Sequence, residues 1–449
     1  MYTNKRKFAP VAILLLIVMM LFAACSNEPA EPNASKGTPE PTKAATTSEP
    51  SNKAAEDEKP EPVTIKVYSH WPNMPSDDDF QQFFVEPLKK SHPHITLERI
   101  KPAEGMRIQD LVAAGDIPDI LIGTVHDLTN YGKLGLYYDL RTLVKENNFD
   151  LGSLESNIMK IVESYGQEGE IYAIPYYVNY NVLWYNKEIF DKFGVDYPTD
   201  GMYWEDVVDL AKLLTRTDGS VQYQGLNVEN VSRIGLQVSD GTLDPTAMQP
   251  MIDKWKPAYE LFKTITSIEG NQPMKKVDFS KELFLQGTQA MIATSDITNQ
   301  LMAVQSPFEW DMVTFPQHKD SPGTYGYGGS RALMIAKTSE HKQEAFQLIQ
   351  SLLSEEVQLE WSKLGKLSPL TTESVQKVFG SAVPIYDGKN VEAIFKLKPK
   401  WFTPTDYHHE MTKIIHKHMY DLYEGKDVNT VIRETEQEMQ QKLEELKRG

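Results

Sequence analysis

The sequence is poor in cysteine and in cations. Its one cysteine, Cys25, cannot form a disulfide within a single chain. Lys and Arg number 46 against 63 Asp and Glu, which gives a formal net charge of −17 at pH 7. Binding to nucleic acid, or a polybasic contact with anionic lipid, needs clustered Lys and Arg, so we expect no nucleic-acid partner. Without a disulfide, a chain of this length depends on a large core for its stability.

The sequence also lacks the usual catalytic motifs. No HExxH, GxSxG or P-loop pattern occurs, and a second thiol is absent. The sequence therefore shows no residue in the setting of a catalytic nucleophile. In the His-rich stretch 408–419, His409 and His416 are about two helical turns apart, which favours a solvated helix face over a metal site. We therefore expect no catalytic residue, no metal and no cofactor. Paired carboxylates for glycoside cleavage meet in space, so sequence spacing does not exclude them.

The N-terminus has the three parts of a secretory signal. Residues 5–7 (KRK) form a cationic head, residues 11–22 are continuously apolar, and two alanines precede Cys25. The apolar run is shorter than the ~20 residues of a membrane span, and no other run in the chain is long enough to be one. We predict a signal peptide over residues 1–24; the alternative is a membrane anchor that is never cleaved.

A polar, proline-dotted segment follows the signal. Residues 26–62 contain no aromatic residue and no aliphatic residue larger than alanine. Such a segment cannot bury enough apolar surface to offset the entropy lost on ordering, and its prolines favour extended stretches. We predict a disordered tether over residues 25–62 that spaces the rest of the chain from a surface.

Beyond the tether, strand patterns alternate with helix patterns. Strand-like runs at 63–69, 95–100 and 117–122 are separated by helical segments, which is typical of a parallel sheet with helices on its faces. Ligands of such sheets bind beyond the carboxyl ends of the strands. The residues that the pattern places there are His70, Trp71, Gly123, Thr124 and His126.

Two resemblances extend this interpretation. FAAC, ending at Cys25, resembles the lipobox of bacterial lipoproteins, with Phe22 where that motif prefers leucine. The resemblance implies that the Cys25 sulfur takes a diacylglycerol after cleavage. Because each buried CH2 contributes about 0.8 kcal/mol, two acyl chains would hold the protein firmly on a membrane.

Six further motifs, in this order, resemble the extracellular solute-binding proteins of ABC importers, family 1, the maltose-binding-like group. They are IPDIL (117–121), IYAIPYYVNYNVLWYNKEIFDKFGV (171–195), YWEDVVDLAKLLT (203–215), FLQGTQAMI (284–292), WDMVTFP (310–316) and GGSRALMIAKTSEHKQEAFQLIQSLLSEEVQ (328–358). The resemblance implies an α/β, two-lobe periplasmic-binding-protein-like fold with a hinge, an interlobe ligand cleft and mixed sheets flanked by helices. Lobe 1 would be 63–178 and 317–365, and lobe 2 would be 179–316 and 366–449. Residues 217–274 and 366–404 match less well.

The resemblance and the strand ends together select candidate ligand contacts. An uncharged, hydroxylated ligand needs flat aromatic rings and short polar groups. The candidates are Trp71, Thr124, His126, Tyr177, Asn179, Ser295, Asp296, Gly329, Ser330, Trp361 and Trp401. Five of these candidates also have a purely structural interpretation. Trp71 could cover a strand end, Asn179 could bond within the hinge, and Asp296 could cap the next helix. Trp361 and Trp401 could be core residues.

The resemblance therefore implies a solute receptor that is lipid-anchored on the extracellular face of the cell membrane. As a monomer it would bind a carbohydrate, an oligosaccharide, and deliver it to the transmembrane permease subunits of an ABC importer that a cytoplasmic ATPase pair drives. The alternative is a surface polysaccharide-degrading enzyme, a glycoside hydrolase or lyase, and a non-sugar solute also stays open.

Overall fold

We describe the protein from a computed structural model. The structure describes residues 60–125, 127–271, 281–326 and 329–448. The predicted signal peptide, Cys25, nearly all of the predicted tether and His126 lie outside the described residues. Within these ranges, no helix combines the length and the apolar character needed to cross a bilayer.

Residues 59–449 form one compact unit that contains two separate five-stranded sheets and a short two-stranded ribbon. The strands are β1 (Val63–Ser69), β2 (Ile95–Ile100), β3 (Ile120–Thr124), β4 (Ile174–Val178), β5 (Asn181–Asn186), β6 (Arg216–Asp218), β7 (Val221–Asn227), β8 (Gln289–Ser295), β9 (Trp310–Thr314), β10 (Thr324–Tyr325), β11 (Ser330–Ile335) and β12 (Lys398–Pro399).

Helices flank the sheets. They are α1 (Asp77–Asp79), α2 (Glu86–Ser91), α3 (Ile108–Ala114), α4 (Asp127–Lys133), α5 (Arg141–Glu146), α6 (Ser156–Glu163), α7 (Lys187–Phe193), α8 (Trp204–Leu214), α9 (Ser232–Val238), α10 (Lys256–Thr266), α11 (Glu282–Leu285), α12 (Thr298–Ala303), α13 (Lys342–Leu352), α14 (Glu355–Lys363), α15 (Glu373–Lys377), α16 (Ala393–Lys396), α17 (His408–Tyr423) and α18 (Val428–Arg448). A π-helical stretch, Phe80–Val85, joins α1 to α2. The described ranges also contain 3-10 turns at Leu151–Ser153, Ile252–Trp255 and Pro384–Tyr386.

The first sheet has the order β2–β1–β3–β11–β4. β1 runs parallel to β2 and β3, whereas β11 runs antiparallel to β3 and β4. β4 lies at the edge of the sheet, which suits Pro175, because a proline cannot donate a ladder hydrogen bond. The sheet is therefore mixed, and the parallel pairs predicted from the first three strand patterns are present.

The second sheet has the order β6–β7–β8–β5–β9. The interior strand β5 lies between β8 and β9 and is buried along its whole length, which explains the continuous apolar and aromatic run VLWY. β5 pairs antiparallel with β8 and β9, and β7 pairs parallel with β8. The ribbon joins β10 to β12 in parallel.

The chain passes between the sheets at short connections. β4 belongs to the first sheet and β5 to the second, so only residues 179–180 separate them. The chain returns from β9 to β11 through the ribbon strand β10. The residue bounds of the two lobes stay a prediction, because sheet membership alone does not fix them.

An aromatic cluster packs against one face of the second sheet. The rings of Trp184 and Trp310 lie 5.2 Å apart, and Phe284 and Phe308 meet edge to face at 5.4 Å. Trp184 is fully buried, whereas Trp401, beyond β12, is 43% exposed. Large buried rings of this kind contribute most to core stability.

We predict that Trp184→Ala lowers the free energy of unfolding by about 3–5 kcal/mol, because it removes a fully buried ring and leaves a cavity. Trp401→Ala is the matched control and should change it by less than about 1 kcal/mol, because that ring is partly solvated. Urea unfolding followed by circular dichroism measures both. Equal effects of the two substitutions would contradict this account of the core.

Candidate ligand-binding site

Polar side chains collect at one edge of the first sheet. Because β1, β3 and β4 share one direction and β11 opposes them, the carboxyl ends of the first three meet the start of β11. Arg331 lies opposite both Thr124 and Tyr177 in the register. The edge that sequence reasoning selected thus carries three polar groups in one row.

A second group of polar side chains lies where the second sheet begins beyond the 179–180 connection. Asn181 starts β5 and lies opposite Ser295, the last residue of β8. The Trp184 indole N–H donates to the Ser295 carbonyl at 3.2 Å and fixes that strand end. The Asn181 amide donates to the Gly326 carbonyl at 2.9 Å. The short connection therefore brings the polar ends of both sheets close together.

The connection itself is tied to the start of β11. The Asn179 backbone N–H donates to the Gly329 carbonyl at 2.9 Å, and the Tyr325 hydroxyl donates to the Asn179 carbonyl at 3.4 Å. Gly329 has φ of +84°, and a Cβ there would lie 3.1 Å from the Asn179 amide nitrogen. Only glycine combines that backbone angle with so close an approach. Ser330, next to it, is fully buried.

Trp71 presents an open ring beside an ordered polar group. The ring is 49% exposed and meets the His70 ring edge to face at 5.0 Å. His70 Nε2 lies 3.5 Å from the Asp127 carboxylate, which accepts from the Thr124 backbone N–H at 2.7 Å and hydroxyl at 2.8 Å. Since its proton goes to Asp127, the Thr124 hydroxyl keeps its lone pairs for a ligand hydroxyl.

Tyr177 and Trp361 are enclosed more tightly than Trp71. Trp361 is 1% exposed, and its ring packs 4.8 Å from Phe83 and 6.0 Å from Tyr177, which favours a packing role. Tyr177 is 7% exposed, and the Arg331 guanidinium lies 4.5 Å from its ring centre. Burial raises the pKa of Tyr177 well above its usual value, so the hydroxyl stays neutral.

Asp296 makes hydrogen bonds at the start of α12, as expected if it caps that helix. Its Oδ1 accepts from the Thr298 backbone N–H at 2.8 Å and hydroxyl at 2.6 Å, at the start of α12. The Tyr386 hydroxyl lies 2.7 Å from the Thr298 hydroxyl and 3.1 Å from that of Tyr180. Both bonds to Asp296 use one oxygen, which leaves Oδ2 for other partners.

Sequence reasoning missed an ion-pair group behind Ser295. Arg233 donates to the Glu229 carboxylate from Nε at 2.7 Å, to Ser295 Oγ at 3.2 Å and to the Asn181 side-chain oxygen. Burial acts to raise the pKa of Glu229, but the Arg233 and Lys281 cations outweigh it and hold that pKa below its usual value. The Glu229 and Arg233 spacing of i, i+4 was the available signal, but it lies where the family motifs fade.

Trp401, the remaining candidate, lies away from this edge. It is near α6, where the Lys160 ammonium lies 5.8 Å from its ring centre.

A cavity of about 330 Å³ lies beside the β10–β12 ribbon. Val178, Tyr325, Leu367 and Ile394 are among the residues that line it, and none of the predicted ligand contacts does.

The His-rich helix α17 forms ion pairs rather than an open metal site. His418, Asp421 and Glu434 are close enough to share an ion. The Lys426 ammonium already lies 3.2 Å from Asp421 and 3.0 Å from Glu434, and it neutralises both. His416, by contrast, is partly buried, with Nε2 2.6 Å from the Ser232 hydroxyl. Burial lowers the pKa of His416 to about 4, so the ring is neutral near pH 7.

Comparison with known proteins shows the family. The family described as bacterial extracellular solute-binding protein matches residues 71–359. An arabinooligosaccharide-binding protein of Halalkalibacterium halodurans is 39% identical over 72 residues. That match covers 15% of this chain and spans only 16% of the relative's length.

Solved structures show the fold. A sugar transporter of Rhizobium etli in an open conformation has a TM-score of 0.68 at 23% identity, with 84% of this chain and 99% of that chain covered. The sugar-binding protein MalE of Xanthomonas citri has a TM-score of 0.70 at 17% identity, with 86% and 98% covered. The predicted family resemblance and the two-lobe fold class are therefore confirmed.

His416 predicts a pH dependence of stability. The pKa of His416 is about 4 in the folded protein, against 6.5 for an unperturbed histidine. Between these pH values the histidine binds a proton in the unfolded chain but not in the folded protein. The free energy of unfolding therefore falls as the pH drops through this window. As the pH drops from 6.5 to 4, we expect the free energy of unfolding of His416→Gln to fall by about 2–3 kcal/mol less than that of the unchanged protein. Urea unfolding at a series of pH values measures this.

His409→Gln is the control, because His409 is an exposed residue of the same helix. Its pH profile should match that of the unchanged protein. If His416→Gln also retains the full slope, the histidine is not the group responsible.

Proposed function

The chain belongs to the bacterial extracellular solute-binding protein family, and we propose that it binds an oligosaccharide between its two lobes. The observation that carries the proposal is the meeting of polar side chains from both sheets around the 179–180 connection. Thr124 ends β3 of the first sheet, and Trp71 follows β1 of the same sheet. Asn181 and Ser295 lie opposite each other in the second sheet. An exposed ring next to short hydroxyl and amide groups is the chemistry that sugars require.

The names of the relatives support a sugar as the ligand class. The Halalkalibacterium protein is described as binding an arabinooligosaccharide, and the Xanthomonas protein as binding a sugar. We infer that this chain holds its ligand without chemical change and delivers it to the permease subunits of an ABC importer. The family consists of binding proteins, and the site needs no cofactor for this role.

Titration of the purified chain with a panel of oligosaccharides tests the proposal. Isothermal titration calorimetry identifies the ligand, and mass spectrometry of the recovered ligand shows whether it is altered. Tight binding with unchanged ligand supports a transport receptor. Cleaved or eliminated products would favour the polysaccharide-degrading enzyme instead.

We predict that Trp71→Ala weakens oligosaccharide binding by about fivefold to thirtyfold, because a stacked ring contributes about 1–2 kcal/mol. The measurement is the Kd by calorimetry. Leu213→Ala removes a similarly exposed apolar side chain, 50% exposed on α8, and should leave the Kd unchanged. An unaltered Kd in Trp71→Ala would remove Trp71 from the site.

We also propose that a lipid on Cys25 holds the protein on the extracellular face of the cell membrane. Cys25→Ser removes the sulfur that would carry the diacylglycerol. The variant should move from the membrane fraction to the soluble fraction while keeping the same Kd for its ligand. A variant that stays in the membrane fraction would favour an uncleaved N-terminal anchor.

A further inference from the structure

Arg331 lies at the centre of the ligand edge of the first sheet. It is the second residue of β11, opposite Thr124 on one side and Tyr177 on the other. The register between β11 and β4 shifts after Arg331, because Ala332 pairs with Pro175. Tyr176 is therefore an extra, unpaired residue of β4. Bulges of this kind redirect side chains and are common beside binding sites.

The contacts of Arg331 are aromatic. Its guanidinium lies 4.5 Å from the Tyr177 ring centre. Its charge also acts on Tyr176, whose pKa burial raises to about 12 while Arg331 opposes the rise. The electrostatic attraction between a cation and a ring face only partly offsets the hydration that the cation loses on burial. The stacking on Tyr177 restrains the guanidinium beside the ligand edge.

The other cations near this edge have carboxylate partners. Arg233 and Lys281 share Glu229, Lys366 pairs with Asp79, and Arg99 pairs with Asp77. Arg331 is different: in the ranges that the structure describes, no carboxylate lies within ion-pair distance of it. Of the nearby acids, Asp127 is bonded to Thr124, Asp79 is paired with Lys366, and Asp296 is bonded to Thr298 through Oδ1 alone. In so acidic a chain, a partly buried arginine without a carboxylate is unusual.

We propose that Arg331 binds a carboxylate of the ligand, and that the oligosaccharide therefore contains a uronic acid. This inference rests on the proposed function and differs from the uncharged ligand that the sequence alone suggested. A guanidinium offers two parallel N–H donors that match the two oxygens of a carboxylate. A neutral sugar hydroxyl offers a single oxygen and leaves the positive charge uncompensated.

Matched ligand pairs test the proposal on the full chain. Each pair consists of two disaccharides that differ only at C6, where one has a carboxylate and the other a hydroxyl. α-1,4-Digalacturonate with α-1,4-galactobiose is one pair, and glucuronate and mannuronate disaccharides with their neutral counterparts are two more. Calorimetry should give at least tenfold tighter binding for the acid in one or more pairs. The methyl ester of that acid should bind like the neutral sugar.

Variants assign the preference to Arg331. Arg331→Gln should weaken binding of the acid at least tenfold and change binding of the neutral sugar less than threefold. Arg331→Lys should keep part of the preference, because the charge remains but the paired donors do not. Arg216→Gln is the matched control: Arg216 also lies over a ring, 5.2 Å from Phe193, but on the exposed strand β6. It should leave every Kd unchanged.

Three results would overturn the inference. Neutral disaccharides that bind as tightly as their acids in every pair would show that the ligand needs no carboxylate, while the proposed sugar receptor would stand. An acid preference that persists in Arg331→Gln would assign the preference to another residue. If no disaccharide binds, acidic or neutral, the proposed function fails together with the inference.

Discussion

The two-residue connection at 179–180 is the constraint on which the rest of the site depends. A chain extends by at most about 3.6 Å per residue, so the end of β4 and the start of β5 must be close neighbours. The first strand belongs to one sheet and the second to the other. Polar residues at the ends of both sheets therefore face a common space. The bond from the Asn179 N–H to the Gly329 carbonyl also ties the connection to β11, so the start of that strand joins the same region.

Much of the fold could be predicted because its signals are local. The strand patterns that begin at residues 63 and 95 match β1 and β2, and the predicted run at 117–122 overlaps β3 at 120–124. The motif IYAIPYYVNYNVLWYNK contains both β4 and β5, so the change of sheet lies inside one recognisable segment. The family resemblance supplied the two-lobe architecture, which hydrophobic periodicity alone does not reveal.

The site was less predictable because it depends on contacts between distant residues. Arg233 bonds to Ser295 and Asn181, which are 62 and 52 positions away. Whether a tryptophan is exposed also depends on residues that are distant in the sequence. Trp71 and Trp361 both have polar neighbours in the sequence, yet one is 49% exposed and the other 1%. Arg331 follows the predicted contacts Gly329 and Ser330 directly, and only the structure reveals that it stacks on Tyr177 and that no carboxylate among the described residues pairs with it.

The hydrogen bond that holds Ser295 in the second sheet also matters for closure of the two lobes over a ligand. A ligand shifts the balance between open and closed forms only by its difference in affinity for the two. A ligand that touched one sheet alone would bind both forms alike and would not favour closure. Arg331 and Thr124 belong to the first sheet, and Ser295, held by Arg233, belongs to the second. A sugar acid with its carboxylate on Arg331 and its hydroxyls on Ser295 would bridge the two sheets. The charge of the ligand would then contribute to closure as well as to affinity, because two opposite charges attract more strongly where water is excluded.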